Sequence, residues 1–185
     1  MSAFRLLLAL LMVAGIACGP QALELALEDE AEVHNIGQIR IVDPWAKSGV
    51  GSGHSAKLFF EFHNAGDKSD RLLKARSTIA NGPTSFSAVV VTEGERRVTD
   101  LEAIEIPATD SIFELTEVGY YIEMTNLDVP MVMGKRFPVE LTFERAGSAT
   151  IEFTARFHSP KLTRRIREAA SRGDIEALKA MRPIK

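Results

Sequence analysis

The chain has 185 residues, of which 45% are hydrophobic and 25% charged, and its formal net charge at pH 7 is −3. This composition is typical of a globular protein and excludes the disordered and fibrous classes. The length suits one ordinary domain with short extensions.

The first 22 residues have the pattern of a secretory signal peptide. Arg5 precedes an apolar run, Leu6–Ile16, and small residues follow it. This run is too short for a transmembrane helix, which needs about 20 apolar residues. A basic start, a short apolar segment and small residues at its end are typical of an exported chain. We therefore predict a signal peptide over residues 1–22.

Cys18 is the single cysteine of the chain. Cleavage after Ala17 would make it the first residue, which is where lipoproteins carry their lipid, although Gly15 stands where the leucine of such a signal is usual. Cleavage after Ala22 would remove it. The sequence leaves both sites open, so we expect contact with a membrane only if Cys18 is lipidated. In neither case can the mature domain contain an internal disulfide.

Residues 38–157 consist of short alternating runs separated by turn residues. In FPVELTFER, Val139, Leu141 and Phe143 alternate with polar residues, which is the two-residue period of a half-buried strand. In TEGER, Gly94 can adopt the positive φ of a hairpin tip. Eight or nine short strands at this spacing predict an all-β fold, a β-sandwich over residues 38–157.

Residues 159–185 change to a helical period. Ser159 and Pro160 fit the N-cap and the first position of a helix, and Gly173 can end it. Asp174 can cap a second helix. The apolar residues that recur at helical spacing are Leu162, Ile166, Ile175, Leu178 and Met181. We predict a short, basic, C-terminal helical tail that docks on the sandwich.

The charge is divided unevenly along the chain. Residues 23–158 carry 22 acidic and 13 basic side chains, whereas residues 159–185 carry 3 acidic and 8 basic ones. The acidic body argues against nucleic acid as a partner. We expect the basic side chains of the tail to be a solvated helix surface or a contact for an acidic protein partner.

Four segments of the chain resemble the PCuAC family of periplasmic copper chaperones. They are VDPWAK, FHNAGDKSDRLLKARS, IEIPA and GYYIEMTNLDVPMVMGKRFPVELTFERAG, all between Ile39 and Phe157. The resemblance implies a cupredoxin-like Greek-key β-sandwich in the periplasm. It also implies copper handling, or copper delivery towards cytochrome oxidase, with a copper-handling or cytochrome oxidase assembly protein as the partner.

Members of that family bind Cu(I) through two histidines and at least two methionines, because thioethers select Cu(I) and imidazole adds affinity. This chain departs from that set at every position. Ser87 and Tyr121 stand where the histidines belong, and Glu123 stands where the His-x-Met pair has its methionine. The other methionine positions hold Val89, Val91, and either Arg96 or Val98. The resemblance therefore implies a degenerate member that lacks the usual Cu(I) site.

Other residues could replace that site, but the sequence identifies no metal ligands, so copper as a cofactor is doubtful. The candidates are His34, His54, His63, His158, Met124, Met131 and Met133. We expect the histidines on the surface or in turns, as for His63, and Met124 in the core. Met131 and Met133 are expected in a loop, where the pair could chelate Cu(I) weakly.

Tyr121 and Glu123 share a strand face by the two-residue period, and with Ser87 they could form an oxygen-rich patch. No nucleophile elbow, phosphate-binding glycine loop or zinc motif is present in the sequence, so we expect no enzyme activity. Two functions remain. One is a periplasmic copper-chaperone-like protein with a substituted site, and the other is a non-metal interaction module that uses the sandwich and the tail.

Overall fold

The computed structural model describes residues 31–47, 54–109 and 111–181. The predicted signal peptide and Cys18 lie outside these residues. The described strands are β1 (Val33–Ile36), β2 (Ile39–Lys47), β3 (Ser55–Asn64), β4 (Asp70–Arg76), β5 (Thr84–Thr92), β6 (Glu95–Leu101), β7 (Ile104–Ile106), β8 (Ser111–Glu114), β9 (Tyr120–Thr125), β10 (Arg136–Phe143) and β11 (Ser148–Arg156). Two helices follow, α1 (Pro160–Ser171) and α2 (Ile175–Ala180). Neither described helix is long and apolar enough to cross a bilayer.

The strands form a hydrogen-bonded path in the order β6-β5-β9-β3-β2-β11-β10-β4-β7, with β1 beside β2 and β8 beside β3. β11 and β2 run parallel, and the other described pairs are antiparallel. β3 and β10 are separated by both β2 and β11 along this path, yet Phe62 and Phe143 are in contact, so the path folds over on itself. The predicted all-β sandwich with a short C-terminal helical extension is confirmed.

The core lies between the two layers and follows the predicted alternation. On β10, Phe137, Val139, Leu141 and Phe143 are buried, and the residues between them are not. Phe62 of β3 lies edge-on to Phe143, with 6.1 Å between ring centroids. Full burial of one such side chain contributes about 1.5–3 kcal/mol to folding. These apolar contacts are therefore what holds the two layers together.

A bulge divides β2 into two halves. Asp43 has a positive φ of 52°, and the register with β3 shifts between Val42 and Trp45. Before the bulge β2 pairs with β1, and from Trp45 onwards it pairs with β11. Trp45 then packs on Phe59, with 4.7 Å between ring centroids. At the VDPW segment, therefore, the pairing partner of β2 changes from β1 to β11.

The hairpin tip predicted at Gly94 is confirmed. Glu93 and Gly94 both have positive φ, 54° and 84°, as a two-residue turn between β5 and β6 requires. Strand β1 was not predicted, because only Ile36 of its four residues is buried and it shows no apolar alternation. The segments from Thr84 to Glu114 also contain more strands than expected, which raises the described total to eleven.

The helical tail begins and ends at the predicted signals. The Ser159 side chain accepts the N–H of Leu162, and the Asp174 side chain accepts the N–H of Ala177. Helix α1 packs beside β2 and buries Ala169 completely. Ile175 of α2 is 63% exposed, so the expected docking of that residue is wrong. The described part of the tail is therefore held mainly through α1.

Candidate functional site

Five polar side chains meet where β3, β9, β5 and β6 run side by side. Ser87 lies opposite Tyr121 on β9 and opposite Asp100 on β6, and Glu123 lies opposite Lys57 on β3. Directly opposed residues of antiparallel strands project from the same face of the sheet. The five residues therefore share one surface, which we call the Ser87–Tyr121 site. It contains all three residues that were expected to form an oxygen-rich patch.

The other positions that correspond to family methionines lie on this same face. Val89 and Val91 follow Ser87 at two-residue intervals on β5. Val89 lies opposite Val98 on β6, and Val91 lies opposite Arg96. Val91 and Val98 are 59% and 60% exposed. The positions at which the resemblance implies Cu(I) ligands therefore lie together on one face of the sheet.

Two contacts join side chains of the site to one another. Ser87 Oγ donates to Asp100 Oδ1 at 3.4 Å. Lys57 Nζ lies 4.1 Å from the centroid of the Tyr121 ring, within the range of a cation–π interaction. Ser87 and Tyr121 are both 3% exposed. An ammonium group therefore lies over the aromatic ring at a position where the resemblance implies a histidine.

This donor set does not fit Cu(I). Hydroxyl, phenol and carboxylate oxygens are hard ligands, whereas Cu(I) prefers thiolate and thioether sulfur. The Lys57 ammonium has no lone pair to offer, and its charge repels a cation. Within the described ranges, no group of three or more histidine, cysteine, aspartate and glutamate side chains is arranged to hold a metal ion.

His34 and His63 are both held by carboxylates of their own segments. His34 Nε2 lies 2.9 Å from Glu32 Oε1, and His63 Nε2 lies 2.7 Å from Glu61 Oε1. His63 also lies within hydrogen-bond distance of Arg40, at 3.2 Å. It is part of β3 and pairs across to β2 and β8, so its expected place in a turn is wrong.

His54 and His158 lie in different parts of the sandwich. His54 Nδ1 is 2.9 Å from the backbone oxygen of Leu127, which makes it a structural contact at the start of β3. His158 is exposed between β11 and α1. Neither belongs to the Ser87–Tyr121 site.

The methionines do not form the expected surface pair. Met131 is 2% exposed and packs in the core, whereas Met133 is 63% exposed. Burial places the Met131 sulfur out of reach of an ion at the surface, so weak chelation by the two residues together is not supported. Met124 is fully buried, as predicted.

Lys57 and Asp100 are the site residues that sequence reasoning did not identify. Lys57 lies on the alternating strand β3 and Asp100 on the charged, exposed strand β6, and only the register places them beside Ser87, Tyr121 and Glu123. The sequence carries no signal for either residue, because Lys57 meets Glu123 only through the pairing of β3 with β9.

A family model described as "Putative lipoprotein LpqE-like" matches residues 39–155. The match extends from the start of β2 almost to the end of β11, so it covers most of the sandwich and includes the Ser87–Tyr121 site. A comparison with curated proteins finds no match.

Several solved structures share this fold. The copper-bound PCuAC domain from PmoF2 is 22% identical, with a TM-score of 0.57, and the match covers 68% of this chain and 97% of that one. The apo PCuAC domain from PmoF1 is 18% identical, with a TM-score of 0.57 and coverages of 68% and 98%. Apo-DR1885 from Deinococcus radiodurans is 14% identical, with a TM-score of 0.51 and coverages of 70% and 85%. At these identities the likeness concerns the fold, which is that of PCuAC domains.

Proposed function

The chain belongs to the LpqE-like family, and from that premise we propose that it is an exported, copper-chaperone-like binding domain that does not carry Cu(I) at the family position. In this proposal it acts by binding another protein of the cell envelope. The observation that supports it is the Ser87–Tyr121 site. There the Lys57 ammonium lies 4.1 Å from the Tyr121 ring centroid, in a place where the resemblance implies soft copper ligands.

The residues that stand at the implied copper-ligand positions make contacts with one another and with neighbouring residues. This favours a changed role for the site over a simple loss of ligands. Ser87 bonds to Asp100, and Lys57 packs on the Tyr121 ring, so both residues at the histidine positions have partners within the protein. The neighbouring Val91 and Val98 expose apolar side chains on the same face. A surface with apolar side chains beside charged ones suits contact with a protein better than it suits a bare metal ion.

Export and anchoring are part of the proposal. The apolar run after Arg5 supports a signal peptide, and the lipoprotein description of the matching family supports lipidation of Cys18. A lipid-anchored domain on the outer side of the membrane would meet copper-handling or cytochrome oxidase assembly proteins there. We infer that such a protein is its partner.

Copper handling through other residues is the second candidate. The solved PCuAC domain from PmoF2 is copper-bound, and Met133 of this chain exposes its thioether at 63%. A single thioether with solvent on all sides is a weak ligand, so this candidate predicts only loose uptake.

Titration with Cu(I) against a chromogenic chelator tests the proposal. A PCuAC protein that carries the full set of histidine and methionine ligands is the positive control and should withdraw Cu(I) from the chelator. We expect the chain to withdraw none. Tight, stoichiometric uptake would contradict the proposal, and loss of that uptake in Met133→Leu would then support the second candidate.

A further inference from the structure

Strand β6 is an open edge of the sandwich. In the described part of the chain it pairs only with β5, in an unbroken register from Glu95 to Leu101. Six of its seven residues are exposed, and only Leu101 is half-buried. It contains no proline, and no bulge turns it away from solvent. Such an edge presents a row of backbone N–H and C=O groups that another strand can bind.

We propose that this edge binds the same edge of a second copy of the chain, in antiparallel pairing about a two-fold axis at Val98. The two sheets would then continue into one another through adjacent β6 strands. In a two-fold contact both copies use the same patch. A residue on the axis therefore meets the same residue of the other copy, and every other contact between two residues occurs twice. The inference does not require Cu(I) to bind, because it depends on the open backbone edge of β6, although Asp100 and Val98 also lie on the face of the Ser87–Tyr121 site.

Hydrogen bonding limits the possible registers. In an edge strand the backbone N–H and C=O of every second residue point away from the sheet. In an antiparallel pair, each residue of this kind must lie opposite a residue of the other strand whose N–H and C=O also point outwards. The two-fold axis must therefore pass through a residue and not between two residues. With the axis at Val98, Arg96 of each copy lies opposite Asp100 of the other, and the two Val98 side chains meet.

The other registers are less favourable. An axis at Arg96 or Arg97 places two arginines face to face, and an axis at Asp100 places two carboxylates face to face. An axis at Thr99 sets Val98 opposite Asp100 and loses the apolar contact. Like charges directly opposite each other destabilise a strand pair, whereas opposite charges stabilise it. Of the registers compared, the one centred on Val98 combines opposite charges at Arg96 and Asp100 with an apolar contact and sets no like charges opposite each other.

The side chains of this register are available for the contact. Val98 is 60% exposed. Asp100 uses Oδ1 for Ser87 Oγ, which leaves Oδ2 for an arginine of the second copy. Arg96 Nη2 donates to the backbone oxygen of Glu117 at 3.3 Å, and pairing would require the other nitrogens of its guanidinium to meet Asp100 of the second copy. Pairing would also shield Val98 from solvent.

Charge reversal tests this arrangement by sedimentation equilibrium on the purified full chain over a wide concentration range. The wild-type chain should form a dimer. Arg96→Asp creates two carboxylate pairs and Asp100→Arg creates two arginine pairs, so each variant should weaken the dimer roughly tenfold or more. The double variant Arg96→Asp with Asp100→Arg should dimerise again. A mixture of the two single variants should also associate, because one presents only carboxylates at these positions and the other only arginines.

Arg97→Asp is the matched control. It makes the same charge change on the same strand, but residue 97 faces Thr99 in the proposed register, so the dimer should remain. Circular dichroism checks that each variant is folded. A wild-type chain that stays monomeric at all concentrations would overturn the proposal. So would equal weakening by Arg96→Asp and Arg97→Asp, or a folded double variant that does not regain the dimer.

Discussion

Asp43 and Arg164 join the bulge of β2 to helix α1. Two guanidinium nitrogens of Arg164 donate to the two carboxylate oxygens of Asp43, and the side chains are 22% and 13% exposed. Asp43 Oδ1 also accepts the backbone N–H of Glu32 at 3.2 Å. One carboxylate therefore connects the segment before β1, the bulge and the helix. The basic side chains of the tail were expected to be a solvated surface or a contact for an acidic partner, and Arg164 instead binds an acidic residue of its own chain.

Arg164→Ala should lower the free energy of unfolding by about 1–2 kcal/mol, because it removes the guanidinium from a largely buried carboxylate. Arg165→Ala is the control, since Arg165 is exposed on the same helix and should change stability by less than about 0.5 kcal/mol. Urea denaturation of both variants measures the difference. Equal, small effects would show that the ion pair contributes little.

Removing residues 159–185 should lower the melting temperature by roughly 5 °C or more. The truncation uncovers the surface under Ala169, which is fully buried, and removes the Lys161 contacts to Glu61 and Glu114. It should also increase the binding of a dye that reports exposed apolar surface. Removing residues 175–185 alone is the control and should have a smaller effect, because Ile175 is exposed. Identical melting curves for the wild type and the longer truncation would argue against a docked helix.

Features that depend on neighbouring residues in the sequence were predictable. The alternation of Val139, Leu141 and Phe143 indicated a strand with one buried face, and the structure buries all three. Gly94 marked the β5–β6 hairpin, and Ser159 marked the start of α1. In each case the chemistry that decides the structure lies within a few residues of the signal.

Features that depend on which strands become neighbours were not predictable. Lys57 lies over Tyr121 only because β3 pairs with β9 in one particular register. Met131 lies in the loop between β9 and β10, as expected, but tertiary packing buries its side chain. The contact between Asp43 and Arg164 joins distant parts of the chain, and neither residue is distinguished by its own surroundings in the sequence.

The contact between Lys57 and Tyr121 should contribute about 0.5–1 kcal/mol to stability. A double-mutant cycle of Lys57→Met and Tyr121→Leu measures this coupling, because Lys57→Met keeps the apolar stem and removes the charge. A second cycle of Lys74→Met and Tyr121→Leu is the matched control. Lys74 is exposed on β4 and should show no coupling to Tyr121. Coupling of similar size in both cycles would mean that the ammonium does not act on the ring.

Expression in the native host should yield a mature chain that begins between Cys18 and Leu23. The basic start and the apolar run up to Ile16 predict removal of that segment during export. Intact-mass measurement on the envelope fraction tests this. A chain that begins at Cys18 with added acyl mass would establish a lipoprotein, and Cys18→Ser should then release the protein from the membrane. A full-length mass in the cytoplasmic fraction would refute export.

Restoring soft ligands to the Ser87–Tyr121 site should restore Cu(I) binding. The register places residue 87 opposite residue 121, so Ser87→His with Tyr121→His puts two imidazoles side by side, and Glu123→Met adds a thioether on the same face. We expect the triple variant to change from no measurable uptake towards one bound equivalent in a chelator competition. Imidazole and thioether ligands suit Cu(I), whereas the original oxygen ligands do not.

The Lys57 ammonium should oppose copper even in the rebuilt site, because a fixed positive charge at this distance repels the ion. Adding Lys57→Leu to the triple variant removes that charge without supplying a sulfur, so the affinity for Cu(I) should rise further. Lys74→Leu, which removes a charge from exposed β4, should leave the affinity unchanged. If the folded triple variant binds no Cu(I) with or without Lys57, the β5–β9 face is not the place where this fold holds copper. The proposal that the Ser87–Tyr121 site replaces a metal centre would then fail.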